Sequence, residues 1–270
     1  MKFMPLVSVI MTFRNGMPWV LNAVGSVIAQ SFTDWELILV DDGSTDGSRD
    51  AILARWGDHP GLRFVQTPPE GRGHALNRAL EAARGEWVAN LDADDLFHPE
   101  KLKMQMNVAS GAGKHDILCT HSLVIGEQEG IPWPGIEQQG GYRDLSRQML
   151  RRNHVNHSSI LAHRNFLREI GGYDDTRRSQ FDYELWLRSL HAGGRILELP
   201  AILTAKRIHA RQSFEARARL RYVWSSLRLQ LRYAPKLGAR PLDYAFFIAK
   251  FLFGLTPRGV RRLTWKVRGA

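Results

Sequence analysis

Cysteine is almost absent from this 270-residue chain, and so are long apolar runs. The lone Cys119 excludes an internal disulfide and fits a reducing compartment. Within the strand-like stretch 116–120 it reads as a buried core residue. No window of about 18 uncharged apolar residues exists, so no bilayer-spanning helix is expected. The N-terminal run at 5–11 passes straight into Thr12, Phe13, Arg14 and Asn15. It is too short for a signal peptide's apolar region and reads as a first strand. Acidic residues are scarce at the other end: over 206–270 sixteen bases face only Glu215 and Asp243, a balance of +14. The first 205 residues carry 21 bases and 25 acids, a balance of −4. That split implies two regions with different partners. At 44% hydrophobic content the chain can bury one large core, with room for a small appendage.

Strand and helix signals alternate through the first half. Residues 7–11 form a strand, and apolar positions Val20, Ala23, Val24, Val27 and Ile28 give a helix over 19–29. A second strand at 35–40 runs into Asp41, Asp42 and Gly43, after which Ser44, Thr45 or Asp46 caps a helix extending to Trp56. A third strand covers 62–65, a helix covers 74–84 and stops at Gly85, and a fourth strand covers 87–91. This alternation predicts a mostly parallel, Rossmann-like sheet with helices on both faces. Ligands of such sheets bind beyond the carboxyl ends of the strands. Thr12, Asp41, Asp42, Asp92 and Asp94 all fall there.

The densest signal is the stretch 87–96, where an apolar strand drives into three carboxylates. In extended chain, residues i and i+2 project to one side, so Asp92 and Asp94 can face one point. A hard cation, Mn2+ or Mg2+, suits such oxygens and fills its other positions with phosphate. The competing reading is an Asp-rich turn, with Asp95, Pro99 and Glu100 opening the next helix.

The order of these segments resembles the family 2 glycosyltransferases. The residues that carry the likeness are Val7 to Thr12, Asp41 to Asp46 and Leu91 to Asp95. Later landmarks are His157-Ser158-Ser159, Gly171-Gly172-Tyr173-Asp174, Asp182-Tyr183-Glu184-Leu185-Trp186 and Arg207-Ile208-His209. The likeness covers roughly 5–210 and implies a GT-A fold. A domain would occupy 1–213, with a donor half at about 1–100 and an acceptor half at about 101–213, followed by a basic helical tail at 214–270. It further implies an inverting hexosyl transfer from a nucleotide-diphosphate sugar, UDP-type favoured, to a glycan or lipid-linked acceptor in cell-surface polysaccharide synthesis.

Carried onto this sequence, the resemblance assigns Thr12, Phe13, Arg14, Asp41, Asp42, Arg72 and Asp92 to the donor. Asp42 would accept from a uracil or thymine imide, and Arg72, on the loop after the third strand, would meet base or phosphate. Asp94 becomes the metal ligand, joined by Asp92 and His209, with Asp95 capping the following helix. Asp182 is the base that takes the acceptor proton, beside an apolar Phe181 that strips water from it. Glu184 is the runner-up base. The family's usual acid before the Asp is replaced by Phe181, its usual Tyr before the Arg by Lys206, and its small Gly-Ser-type loop after the histidine by residues 210–213.

The acceptor side is a loop-rich stretch at 121–156, where Trp133 could stack on a sugar and His154 and His157 could bond hydroxyls. Loop packing accounts for each equally well. In the tail, 214–233 reads as a helix with Leu220, Val223, Trp224, Leu227 and Leu231 on one face. The run 244–255 carries one charge and is followed by Arg258, Arg261, Arg262, Trp265, Lys266 and Arg268. It is too short to span a bilayer but suits an anionic membrane surface. A homodimer interface and plain core packing are the other readings. No nucleic acid is expected, since the bases flank an aromatic run and no nucleic-acid motif is present. The expected location is the cytoplasm or the inner face of the cell membrane. A sugar nucleotidylyltransferase is the rival enzyme, and a non-catalytic nucleotide-sugar-binding protein the rival of another class. The first would want a Gly-rich basic signature near the first strand, where only Arg14 and Gly16 stand.

Overall fold

The computed structural model describes residues 4–127, 131–136, 141–209 and 219–256. Four strands build the first half of the sheet: β1 Val7–Phe13, β2 Trp35–Asp41, β3 Leu62–Gln66 and β4 Trp87–Asn90. They pair in parallel in the order β3-β2-β1-β4. Their crossovers are α1 Val20–Ile28, α2 Ser48–Trp56 and α3 Arg72–Ala82. Alternation along the strands divides the core. Val9 and Met11 of β1, with Leu37 and Leu39 of β2, pack beside α1 residues Val20 and Val24. Ile10, Ile38 and Val40 point the other way, onto Leu76 and Leu80 of α3.

Beyond β4 the directions mix. β5 is Leu96–Phe97, α4 Lys101–Ala109, β6 Ile117–Ile125, β7 Arg143–Asp144 and α5 Ser146–Met149. β8 Leu161–His163 lies antiparallel between β4 and β6. After α6 Arg164–Glu169 and α7 Phe181–His191, the long β9 Ile196–Arg207 pairs in parallel with β6 and antiparallel with β5 and β7. Among the described residues this gives one nine-stranded sheet. Two helices follow, α8 Arg219–Tyr233 and α9 Pro241–Leu255.

Local chemistry explains several element boundaries. No hydroxyl caps α2: Gly47 occupies the cap with φ +79°, and Asp46 accepts the Ser48 N–H at 3.0 Å from one residue further back. Gly85 is not the stop of α3, which ends at Ala82. A Cβ at Gly85 would lie 2.5 Å from the Ser8 nitrogen, so the residue permits close passage against β1, where its N–H donates to Ser8 Oγ at 2.8 Å. Ser8 in turn donates to Glu36, which Arg63 balances at 2.7 Å. Cys119 is buried at 1% exposure, and burial pushes its thiol well above the usual range.

α8 does not present the expected face to the domain. Leu220, Trp224 and Leu231 are exposed, whereas Leu229 and Tyr233 join the central core cluster and Leu227 packs with Phe247 of α9. The helix meets two partners, the domain on one side and α9 on another, so no single apolar stripe describes it. Residues 210–218, with the loop at 210–213, and residues 257–270, with Trp265 and the five trailing bases, lie outside the described residues.

Candidate active site

The β1–α1 and β2–α2 loops are laced together at the rim. Asn15 accepts the Thr45 N–H at 2.8 Å, and its own N–H donates to Ser44 Oγ at 2.9 Å. Gly16 and Met17 donate to Ser48 Oγ and Asp46, both at 2.9 Å. Thr12 sits half-buried at the end of β1 and Arg14 is exposed beside it. The Phe13 ring belongs to the core at 4% exposure, leaving its carbonyl to accept the Asp42 N–H at 2.9 Å. Asp41 is occupied in its own turn, accepting the Ser44 N–H at 2.8 Å. Asp42 is buried at 6% exposure, and its Oδ1 accepts the Gly71 N–H at 3.0 Å. Arg72 is the first residue of α3 and not a loop residue.

The carboxylate cluster departs from its sequence reading. β4 ends at Asn90, and Asp95 N–H donates to the Asp92 carbonyl at 3.0 Å, so the acids lie on a turn where i and i+2 need not converge. Asp92 Oδ1 receives Arg72 Nη2 at 2.6 Å and Asn90 Nδ2 at 3.0 Å, with His157 Nδ1 at 3.1 Å. His157 Nδ1 also lies 3.0 Å from Asn90 Nδ2, and Tyr173 Oη lies 2.8 Å from Nε2. Burial works against charge on Asp92, but Arg72 and then His157 hold its carboxyl well below the usual range. With Oδ1 held by Arg72 and Asn90, a metal contact from Asp92 would fall to its other oxygen. His157, offered above to an acceptor, is buried at 5% exposure behind Asp92, while His154 is exposed.

Asp95 caps no helix. It is 2% exposed, with Ser158 Oγ donating to Oδ2 at 2.6 Å and the Arg207 N–H to Oδ1 at 3.0 Å. Burial, with Asp92 and Asp94 nearby, pushes its carboxyl up to about 8. Arg207 is fully buried, its guanidinium 4.1 Å from the Trp19 ring centroid and its Nε donating to the Asp94 carbonyl at 3.1 Å. This arginine fixes the turn from below. Two residues on, His209 Nε2 approaches Asp94 Oδ2 at 3.2 Å. The His209 side chain is 11% exposed, and among the described residues its buried Nδ1 has no hydrogen-bond partner.

Asp94 and His209 together offer a carboxylate oxygen and an imidazole nitrogen at one point. That pair fits a divalent cation that keeps positions for phosphate and water. Among the described residues no group of three or more such side chains converges there.

Asp182 lies in the first turn of α7, half-buried, accepting from Asn153 Nδ2 at 2.8 Å. The ring of Phe181 beside it would lie 3.1 Å from a Cβ at Gly73, the neighbour of Arg72. The charge of Arg72 is stabilised chiefly by Asp92, and further by Asp182 and Asp94. Glu184 is excluded as an alternative base. It is 2% exposed, clamped by Arg188 Nη2 at 2.8 Å, and accepts from Tyr233 Oη at 2.7 Å. Trp133 packs edge-on against His98 with ring centroids 5.0 Å apart. Sequence reading did not single out Asn90, Asn153 or Tyr173 for roles, nor Arg207 as a clamp; only the Gly-Gly-Tyr-Asp and Arg-Ile-His landmarks marked two of them.

Three strand ends, a charged rim and a carboxylate–histidine pair therefore converge on one site. The family model for glycosyl transferase family 2 matches residues 8–171, well over half of the chain. The chain belongs to this family. A Rickettsia felis protein named as an uncharacterized glycosyltransferase is 25% identical over 266 residues, which is 94% of this chain and 44% of that protein. EpsE of Bacillus subtilis, also named a glycosyltransferase, is 30% identical over 205 residues, covering 71% of this chain and 69% of EpsE. The chain thus spans less than half the length of the Rickettsia felis relative. Among solved structures, S. aureus TarS 1–349 in complex with UDP-GlcNAc matches with TM-score 0.69 at 19% identity, over 91% of this chain and 71% of that one. The mannosyltransferase PcManGT from Pyrobaculum calidifontis, in complex with GDP-Man and Mn2+, matches with TM-score 0.66 at 20% identity, over 99% and 81%. The family 2 member described here shares the GT-A fold with both.

Proposed function

We propose that this family 2 member moves a hexosyl group, with inversion, from a nucleotide-diphosphate sugar to a hydroxyl of a glycan or lipid-linked acceptor in cell-surface polysaccharide synthesis. The observation that carries the reading is the Arg72–Asp92 pair at 2.6 Å, two residues from the Asp94–His209 pair and beside the Phe181–Asp182 start of α7, which packs on Gly73. Asp182, oriented by Asn153, takes the acceptor proton as the hydroxyl oxygen attacks the anomeric carbon from the side opposite the diphosphate. Holding both substrates on this frame makes the encounter effectively intramolecular, and no covalent enzyme intermediate forms. Asp94 and His209 would hold Mn2+ or Mg2+, which when bound neutralises the leaving diphosphate. The Mn2+ and GDP-Man in the PcManGT complex, and the UDP-GlcNAc in the TarS complex, support a nucleotide sugar and a divalent ion here. Asp42, whose Oδ1 accepts from Gly71, fits a base that offers a ring N–H donor, and a uridine donor is proposed on that ground.

Thermal shift of the full chain with UDP, GDP and CDP, each with and without Mn2+, tests the donor reading. A rise with UDP that depends on Mn2+ is expected. A rise with GDP alone removes the uridine reading, and no rise with any nucleotide overturns the donor site.

A further inference from the structure

Helix α9 is amphipathic in the wrong sense for a helix on a water-facing surface. Every exposed position from Leu242 to Leu255 is apolar, among them Phe246, Ile248 and Leu252. Its polar side chains turn inward instead. Asp243 is 3% exposed, pairs with Arg151 Nε at 2.6 Å and accepts the Arg240 N–H, and Lys250 donates to the Arg151 carbonyl at 3.2 Å. Phe247 is the apolar anchor on the domain side. A surface helix normally shows the opposite arrangement, and an apolar patch of this kind marks something that covers it.

The patch continues onto α8. A Cβ at Gly254 would meet Val223 Cγ1 at 2.7 Å, so the two helices approach closely there, and Trp224 packs on Phe251 with centroids 5.8 Å apart. Exposed Leu220 and Trp224 extend the apolar area past that contact. Around it stand exposed bases: Arg221, Arg228, Arg232, Lys236 and Arg240. Over the described residues 219–256 the only carboxylate is the buried Asp243, and the sequence beyond adds five bases and no acid.

This charge pattern selects the occupant. A second copy of the chain would set base against base with no carboxylate to answer it. An anionic lipid surface supplies both the apolar layer and the countercharge. No described helix is long and apolar enough to cross a membrane. The 15 residues of α9 reach about 22 Å against a hydrocarbon core of about 30 Å, so the helix lies along the surface. We infer that the outer face of α8 and α9 docks on an anionic bilayer.

The docking face is rigidly tied to the candidate base. Gln180, at the start of α7, donates to the Tyr222 carbonyl at 2.8 Å, and Arg177 donates to Ser225 Oγ at 2.8 Å. A protein seated by α8 and α9 therefore holds Asp182 near the headgroups. Resting on the function proposed above, the acceptor is a hydroxyl carried by a lipid.

The test is co-sedimentation of the full chain with phosphatidylcholine vesicles, with and without phosphatidylglycerol, at low and high salt. Binding is expected only with the anionic vesicles and should weaken as salt rises. The double substitution Ile248→Glu with Leu252→Glu should weaken it by roughly tenfold or more, since it places two charges in the apolar layer. Both sites are more than half exposed, so the variant should keep its circular dichroism and melting temperature. Leu53→Glu, at an exposed leucine on α2, should bind as the unmodified chain does. Equal binding by the double variant, equal loss in Leu53→Glu, or no binding by the unmodified chain overturns the inference. So does a lipid-free dimer that the double variant dissolves. Vesicle binding is read without nucleotide, so a failed donor reading would leave this result standing, and the reverse also holds.

Discussion

Lys101 allows a quantitative test of how the floor of the site is held. It is the first residue of α4 and fully buried, with Nζ donating to Gln105 Oε1 at 2.6 Å and lying 4.1 Å from the Phe97 ring centroid. Burial pushes its pKa from 10.5 down to about 7. At about 1.36 kcal/mol per pH unit, a displacement of that size corresponds to an upper bound of about 5 kcal/mol. The sign follows from proton counts. The unfolded lysine keeps its proton to about pH 10.5, whereas the folded one releases it above about 7. Between those limits the unfolded state binds more protons, so stability rises with pH; below 7 the full cost is present. Lys101→Met removes this cost but leaves Gln105 Oε1 unpaired, at about 1–3 kcal/mol. The variant should be more stable than the unmodified chain at pH 6 by roughly 2–4 kcal/mol, and the margin should shrink steadily to pH 9. Urea unfolding at pH 6, 7.5 and 9 measures it. Gln105 Nε2 still donates to the Ser159 carbonyl, so the turn bearing Ser158 should stay in place. A difference that does not change with pH, or a variant less stable at pH 6, refutes the reasoning.

Three more outcomes are expected. Asp182→Asn can still accept from Asn153, so nucleotide affinity by calorimetry should hold while turnover falls by about 10²–10⁴; weaker nucleotide binding with turnover little changed would move Asp182 to the donor side. Asp94→Ala should abolish any Mn2+-dependent thermal shift, and the metal-free stability should fall by about 1–3 kcal/mol because His209 Nε2 loses its partner; an undiminished Mn2+ response would remove it as a ligand. Tyr233→Phe deletes the bond from α8 to the buried Glu184 and should cost about 1.5–3 kcal/mol in unfolding; no loss would mean that α8 does not fold with the domain.

What the sequence discloses depends on how local its cause is. β1 and β2 are buried on both faces and bounded by turn residues, so they could be read from composition and position alone. β5 and β7 have two residues each and β8 has three; nothing in segments that short has a period, and only their long-range partners make them strands. The site divides in the same way. Asp94 and His209 were legible as chemistry. The contacts that hold Asp92 were not, because they depend on a strand ending at Asn90 and on His157, 65 residues away. Glu184 looked like a usable acid because its partner Tyr233 stands 49 residues downstream.

The antiparallel seat of β8 also bears on how the chain reaches its folded state during synthesis. Trp87, Val88 and Ala89 pair with His163, Ala162 and Leu161. When β1 to β4 have left the ribosome, the outer edge of β4 waits for a strand about seventy residues further along. At about 5–20 residues per second that edge stays open for several seconds. Its unpaired N–H and C=O groups are then a template for any passing strand. Chains stalled between residues 100 and 160 should therefore be the species that chaperones capture and that aggregates when they are lacking.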